Sequence, residues 1–239
     1  MKDMKKFLIA STLVGGLVSL PFANAQAKVY WDGMELVPGQ IGKLTVLKDT
    51  ELYKLQGNKK TFVKMLKPGT VYRIYNFTAD MLGVGGGYYI KRDSRIKYQT
   101  PSKAKLSQVK REQLFRNTKL GMTMSQVQKI ETGKLIRKDS QSLVYSVTFL
   151  GHKADVQYEF TNGKLTGIYY KIYGNEYELA EGFTKFYDHV QQFLIDCYGN
   201  KYMDLSEQGL RIIVFEQDDY RVGLSTAPEE GLNLSIYQD

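Results

Sequence analysis

Between residues 43 and 99 apolar positions come in short runs separated by turn residues. The runs are "KLTVL", "ELYKL", "TFVKML", "TVYRIYNF", "YYI" and "RIKY", with Gly57-Asn58 and Pro68-Gly69 among the breaks. Runs this short, at this spacing, predict several strands of a small barrel or sandwich. From residue 106 the period changes. "LSQVKREQLF" predicts a short helix and "GMTMSQVQKIETGK" a second one. In the second, Thr123 caps, Gln126 closes a capping box, Met124, Val127 and Ile130 share a face, and Gly133 is expected to end the helix. Alternation then returns in "SLVYSVTFL", "KADVQYEFT" and "KLTGIYYKIY", joined at Gly151-His152 and Asn162-Gly163. Asn-Gly between alternating runs is a strong hairpin signal. Residues 176–198 predict a long helix whose Leu179, Phe183, Phe186, Val190, Phe193 and Cys197 form one buried stripe. Three more strands follow in "LRIIVFEQ", "YRVGLST" and "LNLSIYQ".

Period-2 alternation through two-residue loops sorts the later strands by face. Tyr145, Val147, Phe149, Val156, Tyr158, Phe160, Leu165 and Tyr169 fall on one side and are expected to pack on the helices. Ile213, Phe215, Val222, Leu224, Leu232, Leu234 and Ile236 continue that side. The opposite side carries Thr148, Ile168, Tyr170, Ile212, Val214 and Tyr237 among serines, threonines and an asparagine. Large apolar and tyrosine side chains ringed by small polar groups suit a protein-partner face. Covering of that side by the rest of the chain or by a dimer partner is the competing expectation.

The ends and the charge narrow the class. "MKDMKK", the apolar "FLIASTLVGGLVSLPF" and "ANAQA" have the order of a secretory signal peptide over residues 1–27, with cleavage after Ala25 or, preferably, Ala27. The apolar run is broken by Gly15, Gly16 and Pro21 and falls short of the ~20 residues of a spanning helix. No transmembrane span is therefore expected after cleavage. Cys197 is the only cysteine, so no intramolecular disulfide forms. An exported chain without disulfides has the style of a Gram-positive protein, secreted and extracellular or wall-associated. Residues 28–110 hold 16 Lys+Arg against 6 Asp+Glu, while residues 111–239 hold 14 against 18. Such asymmetry points to two modules, 28–100 and 101–239, with the polar "QTPSKAK" between them. A basic exported module expects an anionic partner, a wall polymer before nucleic acid, for which no motif appears.

Chemistry has little to work with. The cluster in "GVGGGYYIKRDSRIKY" (83–98) is followed by strand-forming Tyr88, Tyr89 and Ile90, not by a helix that would present N–H groups to a phosphate, so the glycines read as a turn. His152 and His189 stand apart in sequence, one at a hairpin and one on the polar flank of a helix. Cys197 sits on an apolar stripe, and Asp218-Asp219 read as a turn. No zinc ligand set, cofactor motif or catalytic constellation stands out, and the expectation is a non-enzyme with neither metal nor cofactor.

Two resemblances add to this reading. "GQIGKLTVLKDTELYKLQG", "FVKMLKPGTVYRIY" and "VGGGYYIKRDSRIKYQTPSK" resemble the bacterial SH3-like domain of wall- and surface-layer-associated proteins. That resemblance implies a small all-β barrel that binds wall components such as peptidoglycan. Within it Tyr72, Tyr75, Tyr88 and Tyr89 are candidates to stack on sugar rings, with Lys91 and Arg92 for anions; filling of a barrel core is the other role open to these tyrosines. "LGMTMSQVQKI" and "VQYEFTNGKLTGIYY" resemble the group of β-lactamase-inhibitor proteins and small outer-membrane-assembly lipoproteins (SmpA/OmlA). This second resemblance implies an α+β domain, with a helix pair and a long helix on one face of an antiparallel sheet. The chain departs from the group in having no lipid-bearing cysteine and no disulfide. The expected function is a secreted surface-associated binding protein with an unidentified protein partner; the alternative is a secreted enzyme inhibitor acting through its open sheet face.

Overall fold

A computed structural model describes residues 28–57, 59–174, 184–227 and 231–238. The leader expected over 1–27 and the first part of the long helix, with Leu179 and Phe183, lie outside the described residues. The chain is mostly β, 50% strand and 18% helix with antiparallel sheets, which places it in the all-β/α+β range.

Residues 30–99 form ten short strands. A hairpin of β1 (Tyr30–Trp31) and β2 (Met34–Glu35) precedes β3 (Gly42–Val46), β4 (Thr50–Gln56), β5 (Lys59–Leu66), β6 (Val71–Ile74), β7 (Asn76–Phe77), β8 (Met81–Gly85), β9 (Tyr88–Lys91) and β10 (Ile96–Gln99). One sheet has the order β10-β3-β6 and the other β5-β4-β9-β8-β7. Their apolar positions meet in one cluster of Leu44, Val46, Leu52, Leu66, Ile74, Leu82, Ile90 and Ile96. The glycine run makes the tight connection from β8 to β9. Gly85, Gly86 and Gly87 all take positive φ, +92°, +60° and +77°, which a side chain would resist.

Among the described residues, three helices and an eight-stranded sheet follow. Helix α1 (Lys103–Phe115) begins at Ser102, whose hydroxyl accepts from the Lys105 N–H. Helix α2 (Met124–Ile130) carries the full capping box between Thr123 and Gln126. Helix α3 (Thr184–Tyr198) buries Phe186, Val190, Phe193 and Cys197 as the stripe predicted. Burial pushes the Cys197 thiol up to about 12, consistent with a small apolar side chain. The strands are β11 (Lys134–Lys138), β12 (Ser142–Phe149), β13 (His152–Thr161), β14 (Lys164–Tyr173), β15 (Met203–Asp204), β16 (Ile212–Glu216), β17 (Arg221–Ala227) and β18 (Gly231–Tyr237). Their spatial order is β11-β12-β13-β14-β18-β17-β16-β15. Strands β11 and β15 have no counterpart among the expected elements, because neither alternates between apolar and polar residues.

Two expectations need correction. Gly133 does not end α2: the helix stops at Ile130, and Glu131 leaves it in an extended conformation. More consequential, Ile168 and Tyr170 are not on the outer face. They are 0% and 2% exposed and belong to the core with Val156, Tyr158, Val190 and Phe193. The cause is a β-bulge. Phe160 pairs with Leu165 but Glu159 with Gly167, so Thr166 is an extra residue in β14. One inserted residue reverses the side on which every later side chain falls. Leu165 therefore shares the core with Ile168, Tyr170 and Ile172, while Tyr169 moves outward.

One carboxylate ties the ends of α1 and α2 to this sheet, beside backbone bonds that join Gly121 and Met122 to Leu165. Glu131 accepts from Arg116 Nε at 2.7 Å and Arg116 Nη2 at 2.6 Å, from the Gly133 N–H at 2.6 Å, and from the Tyr158 hydroxyl. Its side chain is wholly buried. Burial alone would raise its pKa, but the Arg116 guanidinium, the Tyr158 hydroxyl and the Gly133 N–H outweigh it and hold the carboxyl below its ordinary value. Arg116 reaches Glu131 from the left-handed cap of α1, φ 52°. Tyr170 completes the tie by donating to the Leu114 carbonyl at 2.7 Å.

Two outcomes check this arrangement. Ile168→Ala and Tyr170→Ala should each lower unfolding free energy by about 2–5 kcal/mol in denaturant titrations, the range of core truncations; an outward-facing pair would give changes near zero. Because the Glu131 pKa is depressed on folding, its ionised form stabilises the fold above the ordinary value of 4.5, and that contribution is lost as pH falls through the folded value. Glu131→Gln should flatten the acid limb of stability measured from pH ~7 to ~3.

Candidate binding face

On the five-stranded sheet, Leu52, Ile90 and Leu82 stand opposite one another across β4, β9 and β8 and point into the core. The next row must point outward. It runs Phe62, Tyr53, Tyr89, Gly83 and Asn76 across β5, β4, β9, β8 and β7. Neighbouring strands lie about 4.8 Å apart, so three aromatic side chains cross the sheet at that step. Tyr89 lies against Gly83: a Cβ there would stand 3.2 Å from the ring and 3.1 Å from Asn76 Cβ. The absent side chain gives the ring its seat.

Strand β5 contributes the open end of this row. It is an edge strand, and every residue from Lys59 to Met65 is exposed. Phe62 is 55%, Val63 41% and Met65 44% exposed. Phe62 and Met65 are three apart and would face opposite ways in a regular strand. A bulge at Val63 places Phe62 opposite Tyr53 and Met65 opposite Glu51, on one side.

The charge around the row is positive. Asp32, Glu35, Asp49, Glu51 and Asp93 each hold an ion pair, with Lys43, Lys28, Lys67, Arg95 and Arg95 respectively. The Arg95 guanidinium holds the Asp93 carboxyl below its ordinary range. With these acids engaged, Lys59, Lys60 and Lys64 of β5 carry surplus charge. Lys60 Nζ stands 3.7 Å from the Tyr53 ring centroid, a cation–π contact on the face itself.

Of the residues expected to bind, only some meet here. Tyr89 is in the row, and Lys91, two residues on and opposite Met81, shares its side. Tyr72 and Tyr88 pack on the apolar cluster instead, with Lys54 Nζ 5.0 Å from the Tyr88 ring. Tyr75, 37% exposed, covers Gly85, where a Cβ would lie 3.3 Å from its ring. Arg92 is engaged by Tyr98, through a bond to its hydroxyl and a 5.1 Å approach to its ring. Tyr53, Phe62 and Lys60 were missed. Alternation in "ELYKL" already opposes Tyr53 to Leu52; the place of Phe62 depends on the bulge.

On the eight-stranded sheet, Thr148 is exposed and Ile212 and Tyr237 are half-buried, while Val214 is 9% exposed. Without Ile168 and Tyr170 these four are scattered: Thr148 is on β12, Tyr237 on β18, and Ile212 and Val214 on β16. His152 stacks on Phe186 with ring centroids 3.9 Å apart, and His189 is exposed on α3. Among the described residues, no group of three or more His, Cys, Asp or Glu is placed to hold a metal ion, and no helix is long and apolar enough to cross a membrane.

Comparison of the chain with family models, curated proteins and solved structures gave no match. Phe62→Ala should leave unfolding free energy within about 0.5 kcal/mol, as expected of an exposed side chain without structural duty. A loss of several kcal/mol in denaturant titration would mean that Phe62 is packing and that the row is not free to bind.

Proposed function

We propose that this chain is an exported, surface-associated, non-catalytic binding protein whose N-terminal region is an SH3-like barrel holding it to an anionic wall polymer. The row Phe62–Tyr53–Tyr89 carries the reading. Aromatic faces at about 4.8 Å steps suit the rings of an extended glycan, and the flanking lysines suit its negative charge. The signal-like leader and the surplus of cations in residues 28–110 support the same reading. The C-terminal region, an α+β unit resembling the inhibitor and lipoprotein group, would engage a protein. An inhibitor working through the open sheet face loses its support, since Ile168 and Tyr170 are core residues.

Sedimentation of the full mature chain with purified cell walls tests this. The wild type should co-sediment at low salt and be released in part as salt screens the lysines. The double variant Tyr53→Ala, Phe62→Ala should bind several-fold more weakly at every salt concentration, because its loss is not electrostatic. Sedimentation of that variant at wild-type level would remove the face from the function.

A further inference from the structure

Strand β11 begins late against its neighbour. Its pairing with β12 starts at Lys134 opposite Ser146, so Val147 and Thr148 have no strand beside them on that edge. The segment Thr132–Gly133 crosses here instead. A Cβ on Gly133 would lie 2.6 Å from Val147 Cγ1 and 3.0 Å from the Ser146 carbonyl, so only glycine passes this close. A depression of about 630 Å³ remains beside the crossing.

Its lining is basic and hydroxylated, with no acidic residue. Arg116 comes from the cap of α1, Lys134 from the start of β11, and Lys153 from β13 opposite Thr148. Thr132, Ser146 and Thr148 add hydroxyl groups. Arg116 is held rather than loose, because Nε and Nη2 bind Glu131, leaving the Nη1 hydrogens and the second Nη2 hydrogen. Lys153 Nζ stands 5.4 Å from the Tyr173 ring, which steadies its stem. Among the described residues, no carboxylate pairs with Lys134 or Lys153, while Glu131 already receives Arg116, Tyr158 and Gly133.

We infer that this depression binds a phosphate group, as a monoester or a diester. The lining offers three cations from three elements, Arg116 being shared with Glu131, and hydroxyl donors among them, a set that suits a tetrahedral oxyanion better than a planar carboxylate with only two oxygens. The site stands apart from the aromatic row and does not depend on it. A phosphodiester of a soluble polymer and a phospholipid headgroup present the same chemistry.

The test is calorimetric titration of the full chain with inorganic pyrophosphate at low ionic strength. It compares the wild type with the double variant Lys134→Ala, Lys153→Ala and with Tyr53→Ala, Phe62→Ala. Loss of two of the three cations should weaken binding about tenfold or more, whereas the aromatic variant should titrate like the wild type. Both lysines are exposed, so the thermal midpoint without ligand should be unchanged. A poly(glycerol phosphate) titration and flotation with vesicles of phosphatidylglycerol and phosphatidylcholine in equal parts then separate the sources. Whichever binding the lysine variant loses names the source. Pyrophosphate binding that is absent in the wild type, or equal in the wild type and the lysine variant, overturns the inference whatever the wall sedimentation shows.

Discussion

The Glu131 carboxylate is the constraint on which the C-terminal half depends. A buried carboxylate is tolerated only when its oxygens are fully engaged. Here the donors come from the end of α1, the turn after α2 and the middle of β13. The charge therefore fixes three elements at once, and its demands explain local oddities. Arg116 and Asn117 take left-handed backbones, φ 52° and 61°, to bring the guanidinium round. Glu131 leaves the helix extended, so the Gly133 N–H can turn back to it. The polar tie orders the helices on the sheet, while the apolar area beneath them supplies the stabilisation.

Local signals are legible in the sequence, apart from the stop of α2 at Ile130. Thr123 and Gln126 announce a helix start, Asn162-Gly163 a hairpin, and the stripe through Phe186, Val190, Phe193 and Cys197 the core face of α3. What failed was parity. A strand's side chains obey a two-state rule that a single extra residue inverts, and in "NGKLTGIYY" the one hint of the bulge at Thr166 is Gly167, an isolated glycine inside a strand. Each register is consistent with a hydrophobic side: one places Tyr169 inside and the other Ile168 with Tyr170. Only the packing of Tyr170 against Leu114 and its neighbours selects between them, and that is tertiary information.

The same limit applies to the candidate face. Its basic character was legible, since counting charges needs no geometry. The gathering of Phe62 with Tyr53 and Tyr89 was not, because it rests on the bulge at Val63 and on strand neighbours distant in sequence. Tyr72 and Tyr88, close to Tyr89 in the sequence, turn instead to the core. A tyrosine's composition says that it is amphipathic; its place in the register decides which half of that character is used. The depression at Gly133 was likewise invisible, being made by residues from four separate stretches of chain.

The position of β18 has a kinetic meaning. It lies between β14 and β17 and not at an edge, with seven residues paired on each side. Strand β14 ends at Tyr173 and β18 starts at Gly231, so the middle of the sheet closes through a contact between segments far apart in the chain. Strand β18 pairs with β17 as a hairpin, so until that hairpin joins β14, the edges of β14 and β18 both stand open, and the apolar undersides of both halves lack part of their cover. Closure of such long loops is slow compared with hairpin formation. The sheet is thus completed late at the β14–β18 seam, and the hairpins formed earlier must stay apart from other chains until then.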